Sequence, residues 1–260
     1  MPPKSIWNGT IAFGAVAVPI KLFSATESKA VHFHELHRSD EARIEHRRFC
    51  SKEDREVDYD EVVKGYEVSE GEYVVLTKEE VAAADPSRGK VVELEDFVAA
   101  AEIDPVLYDR AYYVGAQKDG EAAYRLLHAA LERTERVGIG RFVFHNKEQL
   151  VALRTFGDVL ALHTMRFHDE VVAGEDVELP SPQKKPSKRE VGMAGTLVSS
   201  LEAKFKPDRY EDTYRASAEK LIAKKARGEE IELPDDHPDD LHPDMLMAAL
   251  EASLGKKKAA

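Results

Sequence analysis

Short apolar runs at strand spacing occupy the first 25 residues of the chain. Proline has no N–H to donate to a sheet, so Pro19 is expected either to end the run or to mark an edge strand. The pattern predicts strands in this region. Its apolar positions are Ile6, Ile11, Phe13, Val16 and Val18.

The middle of the chain predicts more strands and one clear helix. Apolar and polar residues alternate over 30–36 as in a strand, 72–77 is expected to be a buried strand, and 78–84 a short helix. An apolar stripe at helical spacing predicts a helix over 121–136. Many short strands with one mid-chain helix favour a β-barrel over an alternating βαβ fold. The remaining predicted strands are 90–98, 110–114, 137–145, 150–156 and 159–167.

The last third of the chain predicts helices joined by polar segments. A proline- and lysine-rich linker over 180–188 precedes two helices, the second over about 207–227. Residues 229–240 are acidic, broken by prolines and expected to be disordered. A last short helix is expected over 244–254. The apolar positions are Met193, Leu197, Leu201 and Phe205 in the first helix, Tyr210, Tyr214, Leu221 and Ile222 facing inward in the second, and Leu246, Leu250 and Leu254 in the last.

Charge is distributed unevenly over the 260 residues. The net charge of -12, taken as a whole, argues against a nucleic-acid partner. However, residues 184–227 hold twelve Lys/Arg against six Asp/Glu, whereas residues 228–251 hold nine acidic residues and no Lys or Arg. A binding surface responds to the local field, so the acidic total does not exclude DNA.

Neither a membrane span nor an export signal is expected. No stretch approaches the ~20 apolar residues that a spanning helix needs, and the first ten residues lack the apolar core of a signal peptide. Cys50 is the single cysteine, which excludes a disulfide framework and a zinc site built on several thiolates. We expect a reducing, cytoplasmic location.

Most catalytic signatures are absent from the sequence. It contains no phosphate-binding P-loop, no nucleophile elbow, no dinucleotide-binding glycine motif and no HExxH. A group of histidines leaves a zinc site open as an alternative, although His34 and His37 are one residue short of sharing a helical face. The potential ligands are His32, His34, His37, His46 and Cys50.

The segment 38–60 is highly charged and lacks a core-sized apolar run. It is expected to be a long exposed hairpin or a disordered excursion. Arginine suits contact with phosphate because its planar guanidinium can bond bidentately. Arg47 and Arg48 are neighbours, so at most one of them faces a given ligand if the segment is a strand. Because the arginines alternate with acids, a solvated hairpin without a ligand is the alternative.

Several long segments, in one order, resemble the bacterial Ku proteins. The resemblance begins in IWNGTIAFGAVAVPIKLFSATE, VHFHELHRSDEARIEHRRFC and VVKGYEVSEGEYVVLT. It continues through LVALRTFGDVLALHTMRF, MAGTLVSSLEAKF and PDRYEDTYRASAEKLIAKKARG, and so covers roughly residues 4–228. The terminal MLMAALEASLGKKK resembles the short ligase-recruiting tail of that family.

The resemblance implies a mainly β protein with some α-helix. A Ku-type β-barrel core over 1–183 would carry a long strand excursion over about 26–66, which forms a DNA-encircling ring in a homodimer. A helical dimerisation arm over 184–228 would follow, and then an acidic linker, a ligase-recruiting helix and a lysine tail over 229–260. Many relatives have Cys-x-x-Cys in the excursion, but here Glu53 takes the place of the second cysteine after Cys50, so no metal is expected.

The resemblance also implies a function without catalysis. The protein is expected to bind double-stranded DNA ends without sequence preference and so to associate with the nucleoid. It is also expected to recruit an ATP-dependent DNA ligase for non-homologous end joining, with no cofactor and no membrane partner. The residues expected to contact DNA are Lys29, Arg38, Arg43, Arg47, Arg48 and Lys52; those expected to form the dimer are Met193, Leu197, Leu201, Phe205, Tyr210 and Tyr214; and those expected to recruit the ligase are Leu246, Leu250 and Leu254.

Two other classes of function stay open from the residues alone. One is a metal enzyme that uses His32, His34 and His37. The other is a protein-only adaptor that presents the apolar helix over 244–254 and makes no contact with DNA.

Overall fold

A computed structural model describes residues 4–83, 90–144, 147–174, 177 and 185–231. The chain divides into two compact units, one formed by Met1–Ser28 with His34–Asp176 and the other by Lys29–Phe33 with Val177–Ala260. The predicted helix over 244–254, with Leu246, Leu250 and Leu254, lies outside the described residues. Among the helices that are described, none is both long and apolar enough to cross a membrane.

Eleven strands and four α-helices are described. The strands are β1 (Trp7–Phe13), β2 (Val16–Ser24), β3 (Phe49–Cys50), β4 (Arg55–Glu56), β5 (Lys64–Ser69), β6 (Glu72–Leu76), β7 (Val91–Ala99), β8 (Tyr108–Ala116), β9 (Arg136–Phe144), β10 (Lys147–Phe156) and β11 (Val159–Met165). The helices are α1 (Lys78–Ala83), α2 (Glu121–Thr134), α3 (Lys188–Ser200) and α4 (Thr213–Ala226).

Seven strands form a closed barrel in the order β1-β2-β8-β11-β10-β9-β7, which confirms the predicted β-barrel. Neighbouring strands are antiparallel except β7, which closes the barrel by pairing in parallel with β1. Alternate residues point inward, and they fill the interior with aliphatic side chains, Tyr112 and Phe142. Gly140 on β9 lies so close to β7 that a side chain there would collide with the backbone oxygen of Glu93.

Pro19 lies inside β2, and the strand continues to Ser24, so the expectation that Pro19 ends the run is wrong. Its partner in β1 is Thr10, and the pairing of β2 with β8 begins one residue later, at Ile20. The Pro19 carbonyl accepts a hydrogen bond from the N–H of Gln117 just beyond the end of β8. Proline has no N–H, but at Pro19 the pairing of β2 with β8 has not yet begun. The proline therefore removes no hydrogen bond from the sheet.

Helix α2 packs at one end of the barrel. Leu127 and Leu131 on its inner face join the barrel core. The Tyr124 hydroxyl donates to the carbonyl oxygen of Val114 (2.8 Å) and accepts from the N–H of Leu160 (2.8 Å), which lie at the adjacent ends of β8 and β11. The helix ends at Thr134, two residues before the predicted end at 136, because Glu135 adopts the left-handed conformation (φ 52°).

Residues 26–83, between β2 and β7, contain no barrel strand, and two expectations for this segment are wrong. The alternating residues 30–36 form no strand; their one sheet-like contact is an isolated bridge between Leu36 and Arg43. β6 was expected to be buried, but β5 and β6 pair only with each other and every residue of both strands is exposed. Their apolar side chains have no cover within this single chain.

The second unit contains α3 and α4. Ser187 caps α3 by accepting a hydrogen bond from the N–H of Glu190 (3.2 Å), while the Glu190 carboxylate accepts from the N–H of Ser187. The helix ends at Ser200 with Leu201 as its C-cap, so Phe205 is not on it, contrary to expectation.

Helix α4 begins later than expected. A 3-10 turn spans Pro207–Arg209, and Asp212 caps the helix that follows, so Tyr210 precedes α4. Phe205 and Tyr210 stack on each other, with ring centroids 5.7 Å apart. Tyr210, Tyr214, Leu221 and Ile222 are all exposed, so the expectation that they face inward in this chain is wrong.

Candidate nucleic-acid interface

The excursion, residues 26–66, leaves the barrel at the end opposite α2. Its first part is a tight turn, in which the N–H of His37 donates to the carbonyl of Ala42 (2.8 Å) and Glu41 adopts a left-handed conformation (φ 57°). Strands β3 and β4 then form a minimal hairpin, with Phe49 opposite Glu56. These short-range bonds give a polar segment a defined backbone without a hydrophobic core.

Five of the six predicted DNA-contacting residues lie in the first turn, in the hairpin, or in the extended stretch between them. Arg38 lies in the first turn, Arg43 lies opposite Leu36, and Lys52 lies in the turn between β3 and β4. All are exposed. The sixth, Lys29, is also exposed but belongs to the second unit.

Arg47 and Arg48 have different partners, as expected for neighbours in an extended chain. The Arg47 guanidinium donates from Nη1 to Glu56 Oε2 (3.1 Å), and its Nη2 lies 3.6 Å from Glu45 Oε2. The Arg48 guanidinium instead lies over the ring of Tyr59, 5.0 Å from its centroid. Arg47 therefore has its charge balanced by carboxylates, while Arg48 rests on an aromatic face.

Arg55 on β4 is a further arginine of the excursion, which the sequence reasoning left out of the DNA-contacting set. Its Nε donates to Glu53 Oε2 (2.5 Å) and its Nη1 donates to Glu61 Oε2 (3.3 Å). The hydrogen bond from Arg55 lowers the pKa of the Glu61 carboxyl, and a second hydrogen bond from the N–H of Asp58 acts in the same direction. The alternation of basic and acidic residues in the sequence was the signal that such pairs form.

The excursion as a whole is acidic. Residues 26–66 hold eight Lys/Arg and eleven Asp/Glu, a formal balance of -3. Contact with DNA phosphates must therefore depend on where individual cations lie and not on the net charge of the segment.

Two of the four histidines of the excursion contact carboxylates. His37 Nδ1 lies 3.0 Å from Asp40 Oδ1, and His46 Nε2 lies 3.3 Å from Glu35 Oε2. Across the described ranges, no three His, Cys, Asp or Glu side chains converge in a way that would hold a metal ion. The hypothesis of a histidine-site metal enzyme gains no support from this geometry.

The end of the barrel opposite α2 carries polar side chains that the sequence reasoning missed. A cavity of about 350 Å³ there is lined by Asp109, Arg110, Tyr112, Phe144, Lys147, Gln149 and Thr164. Spacing in the sequence could have found Arg110. It lies two and four residues before Tyr112 and Val114, so all three side chains share one face of β8, and Tyr112 and Val114 are core residues. Lys147 is held by Glu170 (2.9 Å), whereas the Arg110 side chain is 77% exposed and lies 4.0 Å from Asp109.

Large apolar side chains are exposed in both units. In the hairpin of β5 and β6 they include Tyr66, Val68, Tyr73 and Val75. Among the predicted dimerisation residues, Leu201, Phe205, Tyr210 and Tyr214 are between 62% and 77% exposed, while Met193 and Leu197 are partly buried. Apolar surface on this scale is typical of a protein–protein contact.

Comparisons with known proteins agree with the barrel. A family model described as the Ku70/Ku80 beta-barrel domain matches residues 12–193. A protein of Anaeromyxobacter sp. (strain K) named "Non-homologous end joining protein Ku" is 44% identical over 252 residues, which cover 96% of this chain and 85% of that protein.

Two further relatives carry the same name. The protein of Bacillus subtilis (strain 168) is 36% identical, over 98% of this chain and 82% of its own length. The protein of Mycobacterium tuberculosis (strain CDC 1551 / Oshkosh) is 36% identical, over 99% of this chain and 97% of its own length. The resemblance found in the sequence is thereby confirmed, and the chain belongs to the Ku family of non-homologous end joining proteins.

Proposed function

We propose that this protein binds double-stranded DNA ends without sequence preference, as a non-enzymatic step of double-strand break repair at the nucleoid. The observation that carries the proposal is the exposed excursion of a chain that belongs to this family. Its arginines are exposed on a segment whose backbone is held by local hydrogen bonds and not by a hydrophobic core. A surface of this kind suits phosphate oxygens.

The lack of sequence preference follows from the kind of contact. Arginine–phosphate contacts fix position on a duplex but carry no sequence information, because every nucleotide has the same phosphate. A ring around the duplex would contact the sugar-phosphate backbone of the DNA from all sides. Such a ring can be loaded only where the duplex has an end, so end specificity would come from topology and not from recognition of a terminal group.

The ring requires two copies of the chain, so the proposal includes a homodimer. Its support is the exposed apolar surface of both units, in the hairpin of β5 and β6 and around Leu201 and Phe205. A two-stranded sheet is marginal by itself in water, so a hairpin with apolar side chains on both faces gains stability from a partner. We propose that a second copy supplies this cover.

The proposal also includes recruitment of an ATP-dependent DNA ligase by the C-terminal tail. Its support comes from the sequence, in which Leu246, Leu250 and Leu254 repeat every four residues after an acidic segment. A short amphipathic helix on a polar tether suits binding in a partner's groove.

Competition between linear and closed circular DNA tests the proposal. Purified protein is incubated with a labelled blunt duplex, and unlabelled linear or closed circular DNA of the same length and sequence is added as competitor. We expect linear DNA to compete well and circular DNA poorly. Equal competition would contradict threading, and failure to bind either form would favour the protein-only adaptor.

A further inference from the structure

The ion pairs of the excursion separate its arginines into two groups. Of the five predicted DNA-contacting residues in the barrel unit, Arg47 is the one that the described part of the chain holds in ion pairs, with Glu56 and Glu45. For Arg38, Arg43 and Arg48, no carboxylate among the described residues lies within 4 Å. The same segment therefore presents both occupied and available guanidinium groups.

The sheet register explains why Glu56 reaches Arg47. Phe49 on β3 pairs with Glu56 on β4, and Arg47 lies two residues before Phe49, on the same face. Diagonal neighbours across an antiparallel pair lie within reach of long side chains. The pair is thus set by the backbone of the hairpin and not by a chance meeting of two mobile side chains.

The chemistry of the pair bears directly on phosphate binding. A carboxylate and a phosphate compete for the same N–H donors of a guanidinium, and both form charge-assisted hydrogen bonds with it. The hydrogen bond to Glu56 raises the pKa of Arg47. A phosphate that takes the place of Glu56 also leaves a displaced carboxylate nearby, which repels it.

We propose that Glu56 limits the affinity of the excursion for DNA, because a phosphate binds Arg47 only by displacing the Glu56 carboxylate. This inference rests on the proposed function and adds to it a residue that weakens binding. Each contact at Arg47 becomes an exchange of one anion for another and not the filling of a vacant site. We expect Arg48, which is not paired with a carboxylate, to contribute more to affinity than Arg47.

The test compares two isosteric substitutions that each remove one negative charge. Glu56→Gln removes the carboxylate that accepts a hydrogen bond from Arg47, and the more distant Glu45 stays in place in every variant. Asp60→Asn removes a charge for which no ion pair is found among the described residues. Binding of a labelled blunt duplex is measured between about 50 and 200 mM salt. Glu56→Gln should raise affinity by about threefold to tenfold, the range expected for one freed exposed ion pair plus one removed repulsion. Asp60→Asn should raise it by less than about twofold.

The salt dependence gives a second readout. Each phosphate that is neutralised contributes about -0.9 to the slope of log K against log salt concentration. An additional contact at Arg47 should therefore make the slope of Glu56→Gln steeper by about one. The slope of Asp60→Asn should match that of the wild type, since no guanidinium is freed.

A double-mutant cycle decides between release of Arg47 and a general change of charge. In the Arg47→Ala background, Glu56→Gln should lose its advantage and behave like Asp60→Asn. An equal gain in both backgrounds, or equal gains for the two single substitutions, would overturn the inference while leaving end binding intact. A wild-type protein that binds no linear duplex would instead defeat the proposed function. Circular dichroism checks that each variant keeps its fold.

Discussion

Replacing Leu197 and Leu201 together with aspartate should convert the proposed dimer to monomers. Leu201 caps α3 and is 62% exposed in the single chain, while Leu197 lies one turn earlier on the same face and is partly buried. If a second copy covers this face, each subunit contributes both leucines to the contact. The substitution places two carboxylates in each half of that contact.

The size of the effect follows from the exposed area that a partner would cover. Full burial of a leucine side chain contributes about 2.5 kcal/mol, so covering the exposed part of Leu201 is worth about 1.5 kcal/mol in each subunit and about 3 kcal/mol in the dimer. Burial of unpaired aspartates adds at least about 2 kcal/mol more. A loss of about 5 kcal/mol raises the dimer Kd by more than about a thousandfold.

Light scattering coupled to size exclusion measures the mass of the wild type and the variant at the same concentration. Gly195→Asp with Ser199→Asp is the matched control, since it adds the same charges at the same spacing on α3, about 160° away around the helix. A side chain at Gly195 meets nothing within 4 Å. The control should stay dimeric and keep binding DNA ends, whereas the Leu197/Leu201 variant should do neither.

A Leu197/Leu201 variant that remains dimeric would refute the assignment of this face. The exposed hairpin of β5 and β6 would then be the first place to look for the contact. Monomers formed by the control as well would show that added charge on α3, and not loss of the leucine face, causes dissociation.

Three further predictions concern DNA, the tail and the barrel. Alanine at Arg43, Arg47 and Arg48 should weaken binding of linear duplex by more than about tenfold and leave the dimer intact. Unchanged affinity would mean that these arginines only contact solvent and do not bind DNA. Deletion of 241–260 should preserve end binding but abolish stimulation of an end-joining ligase, and full stimulation by the truncated protein would place the recruiting surface elsewhere. Tyr124→Phe should cost about 2 kcal/mol of unfolding free energy in chemical denaturation, because two backbone groups at the end of the barrel lose their partner. Burial raises the pKa of Tyr124, so the native state holds the hydroxyl proton more tightly than the unfolded chain does. The stability that this difference contributes is present below about pH 10 and is lost as the pH rises through the higher native pKa. The phenylalanine variant should lack this loss.

The sequence predicted the barrel well because its strands bury one face, and burial leaves a period in the apolar residues. Val18, Ile20 and Leu22 on β2, and Val92 and Leu94 on β7, are buried, and the residues between them are more exposed, as the pattern requires. The same reasoning failed for β6, whose apolar run was expected to enter the core. A pattern shows that a residue favours burial but does not show which molecule buries it.

The candidate interface was predictable in composition but not in pairing. The sequence showed that Arg47 and Arg48 lie on opposite faces, yet it gave no reason to pair Arg47 with Glu56 in preference to the other nearby acids. That choice depends on the register in which Phe49 meets Glu56, and the register of a two-residue hairpin has no apolar pattern to mark it. Arg110 was missed because it is a single polar residue on a strand face whose next positions, Tyr112 and Val114, are core residues.

The order in which the strands pair has a consequence for how the chain folds as it is synthesised. β1 pairs with β7 and β2 pairs with β8, so both edges of the first hairpin stay open until residues up to Ala116 exist. The barrel itself closes only when β11, which ends at Met165, has also been made. The turns of the excursion close through hydrogen bonds between residues no more than nine positions apart, such as Val57 with Arg48. Local contacts form faster than pairings between distant segments. The segment proposed to meet DNA therefore acquires its local shape on the ribosome before the barrel that carries it has closed.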